Sequence, residues 1–440
     1  MEVAVTRRGC EVDREALSYE DEARIRRELR VVPQAASMVC PATPFNVFEM
    51  TATHYIVPHR WAVAHLRGTL ADARTTGATV QTLGFEGALR PEQESLVNAA
   101  LEHDACVLCA QTGQGKTCMA LYLASLYKKK TVVLVHKKFL AEQWKERASQ
   151  FVPRATVTLY GGGRSLDFSG DIVVATIQTV LSRGVPSAYK DSVGFVVVDE
   201  VHRLAAPTFC KVVLRGLNAP KMLGLSATPE RADGLERVIY WLCGPLVRDA
   251  SPPSSSRMDV SVLRPVFSEY RNAPVNRRGD VDFARLLTAL AEDDKRTAFL
   301  IDQIMQHVGR DRDCLVLSHR RAHCLVLAEC LRQRGYDAAT YLGGDKIVPT
   351  AKVLVATYNL VSEGFDEPRL SALVLSTPAS NVVQAVGRIL RRPGPKLILD
   401  LVDDTPVCWA SAKKRNALYI SRGYVRPRIP ACAFREDSGN

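Results

Sequence analysis

At 440 residues the chain is long enough for two or three domains, each with a buried core, and its apolar fraction of 47% is ordinary for soluble globular protein. No apolar run approaches the roughly 20 residues that span a bilayer, and the first residues hold no apolar stretch ahead of a cleavage site. An intracellular protein with no membrane partner is expected, cytoplasmic or nuclear, and the net charge of +11 favours a polyanion as partner through release of counterions from phosphates.

Residues 14–30 interleave Arg and Glu and predict a solvated helix. Between Pro33 and Gly87 aromatic and β-branched residues accumulate (Phe45, Val47, Phe48, Tyr55, Ile56, Val57, Trp61), which predicts a small strand-containing accessory domain over residues 1–88. From Leu89 short apolar runs alternate with helical segments. Strands are expected at Cys106–Ala110, Thr131–His136, Asp171–Thr176, Phe195–Asp199 and Met222–Ser226, several of them continuous apolar runs of the kind found in parallel sheets covered on both faces. Residues 89–250 therefore read as a doubly wound α/β domain. Ser251-Pro-Pro-Ser-Ser-Ser256 neither packs a core nor continues a helix, so residues 251–257 read as a linker. The alternation resumes over residues 258–440, with strands at Cys314–Ser318, Val353–Thr357, Ala372–Ser376 and Lys396–Leu401 and helices at Arg321–Gly335 and Val382–Arg391, a second α/β domain.

The run Ala110-Gln-Thr-Gly-Gln-Gly-Lys-Thr117 follows a strand and opens an apolar helical stretch, which is the context of a phosphate loop, although Ala110 stands where the general pattern has Gly. Backbone N–H groups from Thr112 to Gly115, around Gly113 and Gly115, can point at the phosphates of ATP, and the helix N-terminus adds partial positive charge. Lys116 would hold the β/γ-phosphates and Thr117 would ligate Mg2+. Phe195-Val-Val-Val-Asp-Glu200 ends a strand in two carboxylates at the edge where ligands sit in such sheets. Asp199 would hold magnesium through water, and Glu200 would orient and deprotonate the attacking water. Arg388 and Arg391 are three apart on a predicted helix, with Gln384 on the same face; they would stabilise charge on the γ-phosphate oxygens. The runs together describe a nucleotide site divided between the two α/β domains.

The cysteines lack paired zinc-ligand spacing. Cys106-Val-Leu-Cys109, inside an apolar strand, reads as structural, and His54, His59 and His65 as ordinary histidines. No acidic or histidine cluster outside the nucleotide site has the logic of a nuclease metal site.

These residues resemble superfamily 2 helicases with two RecA-like domains, over about residues 89–405. The fold implied is two tandem RecA-like parallel-sheet domains with a small N-terminal α+β accessory domain. In Leu89-Arg-Pro-Glu-Gln93 the resemblance implies that Gln93 reads adenine. In His136-Lys-Lys-Phe-Leu-Ala-Glu-Gln-Trp144, with Lys137, it implies a grip on one strand's phosphates, as it does for Thr176, Arg320 and Thr357. Ser226 and Thr228, with His202 of Asp199-Glu-Val-His202, are implied to couple hydrolysis to strand movement. Glu363-Gly-Phe-Asp366 resembles the motif that approaches the nucleotide sugar, through Gly364 and Asp366, and Gln384, Arg388 and Arg391 match the closing motif.

Leu89–Gln93, Asp199–His202 and the run Gly224-Leu-Ser-Ala-Thr-Pro-Glu-Arg-Ala-Asp-Gly234 look most like the XPB/UvsW branch, and the tail Ala412-Lys-Lys-Arg-Asn-Ala-Leu-Tyr419 is similar to poxvirus-type transcript-release helicases. That branch implies ATP-driven 3′→5′ movement on DNA, in transcription or in repair and recombination, with mainly backbone contacts to single-stranded or duplex DNA. RNA, an RNA–DNA hybrid and the transcription machinery are further partners it suggests. Two departures stand out. The branch's Arg-Glu-Asp element reads Arg231-Ala-Asp233 here, which implies weaker strand opening or other residues for it. The segment from Gly343-Gly344 to Val353 is too short for the usual helical crossover, so either an extended link replaces the helix or the strands are wrongly placed. An RNA helicase is the alternative, because only 2′-hydroxyl contacts separate the two nucleic acids. A scaffold with a degenerate ATPase is disfavoured, because Lys116, Asp199, Glu200, Arg388 and Arg391 are all present.

Overall fold

The chain opens on alternating apolar residues: Val3 and Val5, then Cys10 and Val12, are buried while Ala4, Glu11 and Asp13 are more exposed, the period of two that a half-buried strand requires. In the computed structural model, which describes residues 2–34, 43–111, 113–161, 166–202, 210–231, 233–248, 258–265, 273–277, 279, 281–310, 312–343, 345, 347–362, 367–390 and 394–424, they form the hairpin β1 (Glu2–Thr6) and β2 (Gly9–Asp13). Then come α1 (Tyr19–Glu28), β3 (Arg30–Val31), β4 (Phe45–Asn46), β5 (Glu49–Met50), β6 (His54–Val57), α2 (His59–His65) and β7 (Thr69–Asp72). The mixed sheet has the order β5-β6-β2-β1-β7. Helix α1 starts where the Ser18 hydroxyl accepts from Asp21 N–H (3.0 Å), and it buries Ile25 against the sheet. The sheet begins ahead of the region where aromatics suggested it, because its first hairpin builds its core from Val and Cys.

Contacts divide the chain into two units, Met1–Ala250 and Ser251–Asn440. Within the first unit the N-terminal sheet is pinned to the larger one. Asn218 donates from its backbone to Arg7 O (2.9 Å) and from Nδ2 to Thr6 O (2.8 Å), and Arg74 donates to Ala219 O (2.9 Å). The Arg7 guanidinium reaches the carbonyl of Val193 and Thr75 Oγ1.

The larger sheet follows: α3 (Pro91–Leu101), β8 (Ala105–Cys109), α4 (Lys116–Tyr127), β9 (Thr131–Val135), α5 (Lys138–Phe151), β10 (Val157–Tyr160), β11 (Ile172–Thr176), α6 (Ile177–Arg183), β12 (Phe195–Val198), β13 (Lys221–Ser226), α7 (Glu236–Cys243) and β14 (Leu246–Arg248). Seven parallel strands run in the order β10-β11-β9-β12-β13-β8-β14. Successive residues of β9 and β12 alternate between two cores: Val132, Leu134, Val196 and Val198 join one, Val133, Val135 and Val197 the other. Both faces are covered, which is why these strands read as unbroken apolar runs.

The second unit holds β15 (Met258–Leu263), α8 (Phe283–Glu292), α9 (Asp294–His307), β16 (Cys314–Ser318), α10 (Arg321–Gln333), β17 (Ala338–Tyr341), β18 (Val353–Thr357), α11 (Tyr358–Ser362), β19 (Ala372–Leu375), α12 (Val383–Ile389), β20 (Lys396–Leu401) and α13 (Pro406–Ser421). Its parallel sheet runs β15-β20-β19-β16-β18-β17. Strands β17 and β18 are parallel neighbours, Ala338 beside Val353, joined without a helix among the described residues of 342–352. The expected strand stands, and a non-helical link takes the place of the crossover. The expected linker, 251–257, lies outside the described residues.

Two ion pairs are fully enclosed near the end of β20. Arg296 of α9 grips Asp403 (2.6 and 2.9 Å) and also donates to the carbonyls of Leu290 and Ser376. Arg415 of α13 grips Asp400 (2.9 and 2.7 Å), which also accepts from Tyr419 Oη (2.9 Å), and reaches Ala379 O (2.6 Å). Among the described residues no helix is long and apolar enough to cross a membrane.

Candidate nucleotide site

The turn from β8 into α4 is shaped by two glycines in the left-handed region, Gly113 (φ 91°) and Gly115 (φ 80°). Gly115 caps α4, and a Cβ there would stand 2.4 Å from Gln93 Nε2. Gln93 is buried beneath the loop: its Oε1 accepts from Arg90 N–H (2.9 Å) and its Nε2 donates to Gln114 O (2.8 Å), which also accepts from Arg90 Nη2 (3.0 Å). The carboxamide thus supports the loop and keeps one amide proton and one lone pair, the pair of groups needed to read an adenine edge. Ala110 is buried, and its N–H donates to Ser226 O (3.1 Å); lacking a left-handed φ, the position does not require glycine. Lys116 Nζ donates to the carbonyls of Ala110 (3.0 Å) and Gln111 (3.4 Å), so the loop's cation lies within the loop itself. Thr117 follows in the first turn of α4. Thr112 lies outside the described residues.

Strand β12 delivers Asp199 and Glu200 to the same sheet edge. Asp199 N–H donates to Leu134 O of β9 (2.9 Å); its Oδ2 accepts from Trp144 Nε1 (2.9 Å) and its Oδ1 from Glu200 N–H (3.0 Å). Burial, reinforced by the Glu200 charge, holds the Asp199 carboxyl above the usual carboxylate range; the Trp144 hydrogen bond and Lys116 act the other way. Glu200 has φ 50°, one of two non-glycine residues with positive φ among the described residues, and such strain collects at functional sites. Its buried Oε2 makes no hydrogen bond among the described residues and lies 3.4 Å from His202 Nδ1. Two crowded carboxyls within electrostatic reach of Lys116, with Thr117 in the first turn of α4, fit a Mg2+–triphosphate, because a divalent cation relieves the repulsion that helps raise Asp199.

From Glu200 a polar run continues to β13. His202 Nδ1 lies 3.3 Å from Ser226 Oγ, and Ser226 Oγ accepts from Thr228 N–H (3.1 Å). The expected coupling residues are therefore together. Arg231 pairs with Asp233 (Nε to Oδ1, 2.8 Å) and also donates to the carbonyl of His202, while Asp233 O accepts from Gln34 N–H (3.0 Å). Arg231 thus ties Asp233 to the backbone of the acidic motif.

The expected strand-gripping residues divide. Lys137 caps α5, and Thr176 caps α6, its Oγ1 accepting from Thr179 N–H (3.4 Å) and lying 2.7 Å from Thr179 Oγ1. In the second unit Thr357 ends β18, whereas the Arg320 guanidinium is held by α8, donating to Thr288 Oγ1 (3.1 Å) and Ala284 O (2.7 Å). These bonds occupy Nε and Nη2, and α8 was not foreseen. On α12, Gln384 is half-buried and Arg388 buried, with Arg388 Nε donating to Val361 O of α11 (3.0 Å). Arg391, Gly364 and Asp366 lie outside the described residues.

Beside Arg320, His319 Nδ1 meets Thr377 Oγ1 (2.9 Å) and His323 Nδ1 meets Ser318 Oγ (3.0 Å). Burial pulls His319 down to about 4 and His323 to about 3. A histidine in the unfolded chain takes its proton near pH 6.5, so below about 6.5 the unfolded state gains protons that the folded one refuses. The contribution of these residues to stability is complete above that pH and declines toward 4. Urea midpoints measured between pH 7.5 and 5 are expected to fall, less steeply in His323→Gln; equal slopes would contradict the assignment.

Trp144 is the site residue that motif reading did not single out for the nucleotide. Its signal is a buried tryptophan, whose donor-only N–H needs an acceptor.

Residues 86–231 match the family model described as Type III restriction enzyme, res subunit. Across 448 residues the chain is 25% identical to a protein of Acanthamoeba polyphaga mimivirus described as a candidate ATP-dependent RNA helicase, covering 96% of this chain and 85% of that protein. It is 28% identical over 360 residues to a candidate helicase of Frog virus 3, covering 79% of this chain and 81% of the other. The helicase domain of Pyrococcus furiosus Hef has the same fold over 74% of this chain and 98% of its own length, with TM-score 0.50 and 16% identity. A phosphate loop and an acidic strand end on one parallel sheet, a second such sheet after it, and viral helicases as relatives mark the chain as an ATP-dependent enzyme that acts on nucleic acid, similar to the helicases it matches.

Proposed function

We propose that this helicase works on DNA, translocating 3′→5′ and separating strands, in transcript release or in repair and recombination. The observation that carries the reading is the polar run Glu200–His202–Ser226–Thr228, in which His202 Nδ1 lies 3.4 Å from Glu200 and 3.3 Å from Ser226, a physical route from hydrolysis into the motif read as coupling. Lys116 exchanges the carbonyls of Ala110 and Gln111 for the β- and γ-phosphates, and N–H groups around Gly113 and Gly115 complete the cradle. Asp199 and Thr117 hold Mg2+, which when bound neutralises phosphate charge. Glu200 orients the attacking water and takes its proton. Arg388 and Arg391 of the second unit stabilise charge gathering on the γ-phosphoryl oxygens, with Gln384 beside them and Asp366 at the nucleotide sugar. Lys137, Thr176, Arg320 and Thr357 grip backbone phosphates, so little sequence preference follows.

DNA is preferred because the motifs around Gln93, His202 and Ser226 resemble a DNA-helicase branch. The description of the mimivirus relative supports RNA as the second reading. Strand displacement on DNA and RNA duplexes with 3′ or 5′ tails tests both. Displacement of 3′-tailed DNA, with ATPase stimulated by single-stranded DNA, is expected. Stimulation by RNA alone would replace the first reading with the second, and no stimulation by either would remove both.

A further inference from the structure

We propose that Trp144 is a positioning residue for Asp199, and that it makes the metal-binding carboxylate respond to what α5 holds; the inference rests on the reading that Lys137, at the start of α5, grips the strand. Two bonds tie Asp199 to consecutive elements of the chain. Its backbone N–H donates to Leu134 O of β9 (2.9 Å), and its Oδ2 accepts from the indole of Trp144 on α5 (2.9 Å). The turn joining β9 to α5 carries His136 and Lys137. Asp199 is thus fastened to both sides of the loop on which the strand would press.

The indole has no freedom to compensate. Trp144 is buried in the same core as Leu140, Ala141 and Ala148 of its own helix and Val133 and Val135 of β9, so it moves with α5 rather than about its own torsions. An indole nitrogen donates and cannot accept, so it complements the acceptor-only Asp199 carboxylate. A displacement of α5 by about 1 Å stretches such a bond beyond useful length. Glu200 follows, because its N–H is held by Asp199 Oδ1 (3.0 Å) and its strained backbone is set by that attachment. Phosphates drawn to Lys137, Lys138 and the helix N-terminus would therefore set both carboxylates through one rigid element.

The test reads the coupling between two ligands rather than turnover. Wild-type protein is titrated with labelled single-stranded DNA, with and without a nonhydrolysable ATP analogue and Mg2+. The two ligands should change each other's Kd by about 5- to 150-fold. Trp144→Phe keeps the ring and loses the donor, and should bring that factor to within about twofold of one. An unreduced factor in the variant overturns the proposal. So does a loss of both affinities with the factor intact, which is what a merely structural tryptophan would give. No coupling in the wild type fails the underlying reading instead. Should the variant not fold, wild-type NMR serves: the chain has 4 tryptophans, and one indole N–H resonance is expected to respond both to Mg2+–nucleotide and to DNA. A spectrum in which none answers to both overturns the proposal.

Discussion

Glu200→Gln is expected to bind Mg2+–ATP about as the wild type does and to hydrolyse it roughly a hundred- to ten-thousandfold more slowly, the range a positioned general base contributes. Gln fills the same volume and can still meet His202, and the phosphate contacts proposed for Lys116 and the glycine turn lie elsewhere. What disappears is the group that takes a proton. Lys116→Ala differs in kind, since it removes the cation, bonded here to Ala110 and Gln111, that is proposed to bind phosphate, so nucleotide binding and turnover should fall together. Titration with a fluorescent nucleotide, run beside steady-state ATPase on single-stranded DNA, separates the two. Retention of more than about a tenth of wild-type turnover by Glu200→Gln would remove that residue from the base's role.

The second large effect is on folding. Arg415→Ala strands Asp400 in a site where both partners are almost fully enclosed, with only Tyr419 left to bond it. Breaking a buried pair on one side costs about 3–5 kcal/mol, a large share of a domain's total stability. The urea midpoint should drop sharply, read from Trp409 emission, because that residue shares α13 with Arg415. Asp400→Leu, Arg415→Met and Tyr419→Phe combined remove the three polar side chains together and leave only the Ala379 carbonyl without its Arg415 donor, so they should recover part of the loss, since a well-packed apolar replacement of a buried pair is often neutral. A single variant as stable as wild type would show that water reaches the site.

Much of the fold was legible because buried parallel strands announce themselves. Val132–Val135 and Val196–Val198 face apolar cores on both sides and leave no polar alternation to confuse the reading. Edge strands were not legible: β10 and β15 are half-exposed, and their Thr and Ser residues blur the run. Helices α8 and α9 fell between motifs and carried no phosphate chemistry, yet α8 holds Arg320 and α9 supplies the buried Arg296. The residues read as acidic and coupling groups could be picked out by type and order. Their connections could not, because Trp144 meets Asp199 across 55 positions and His202 meets Ser226 across 24. The tail Ala412–Tyr419 drew notice as a resemblance; its Arg415 and Tyr419 prove to close a buried network around Asp400.

The bonds from Asn218, Arg74 and Arg7 have a mechanical outcome. They make the N-terminal sheet a stiff outrigger of the ATP-binding sheet rather than a tethered passenger. Any cargo fastened to that sheet would be towed the full length of each stroke, with no slack for a flexible leash to absorb.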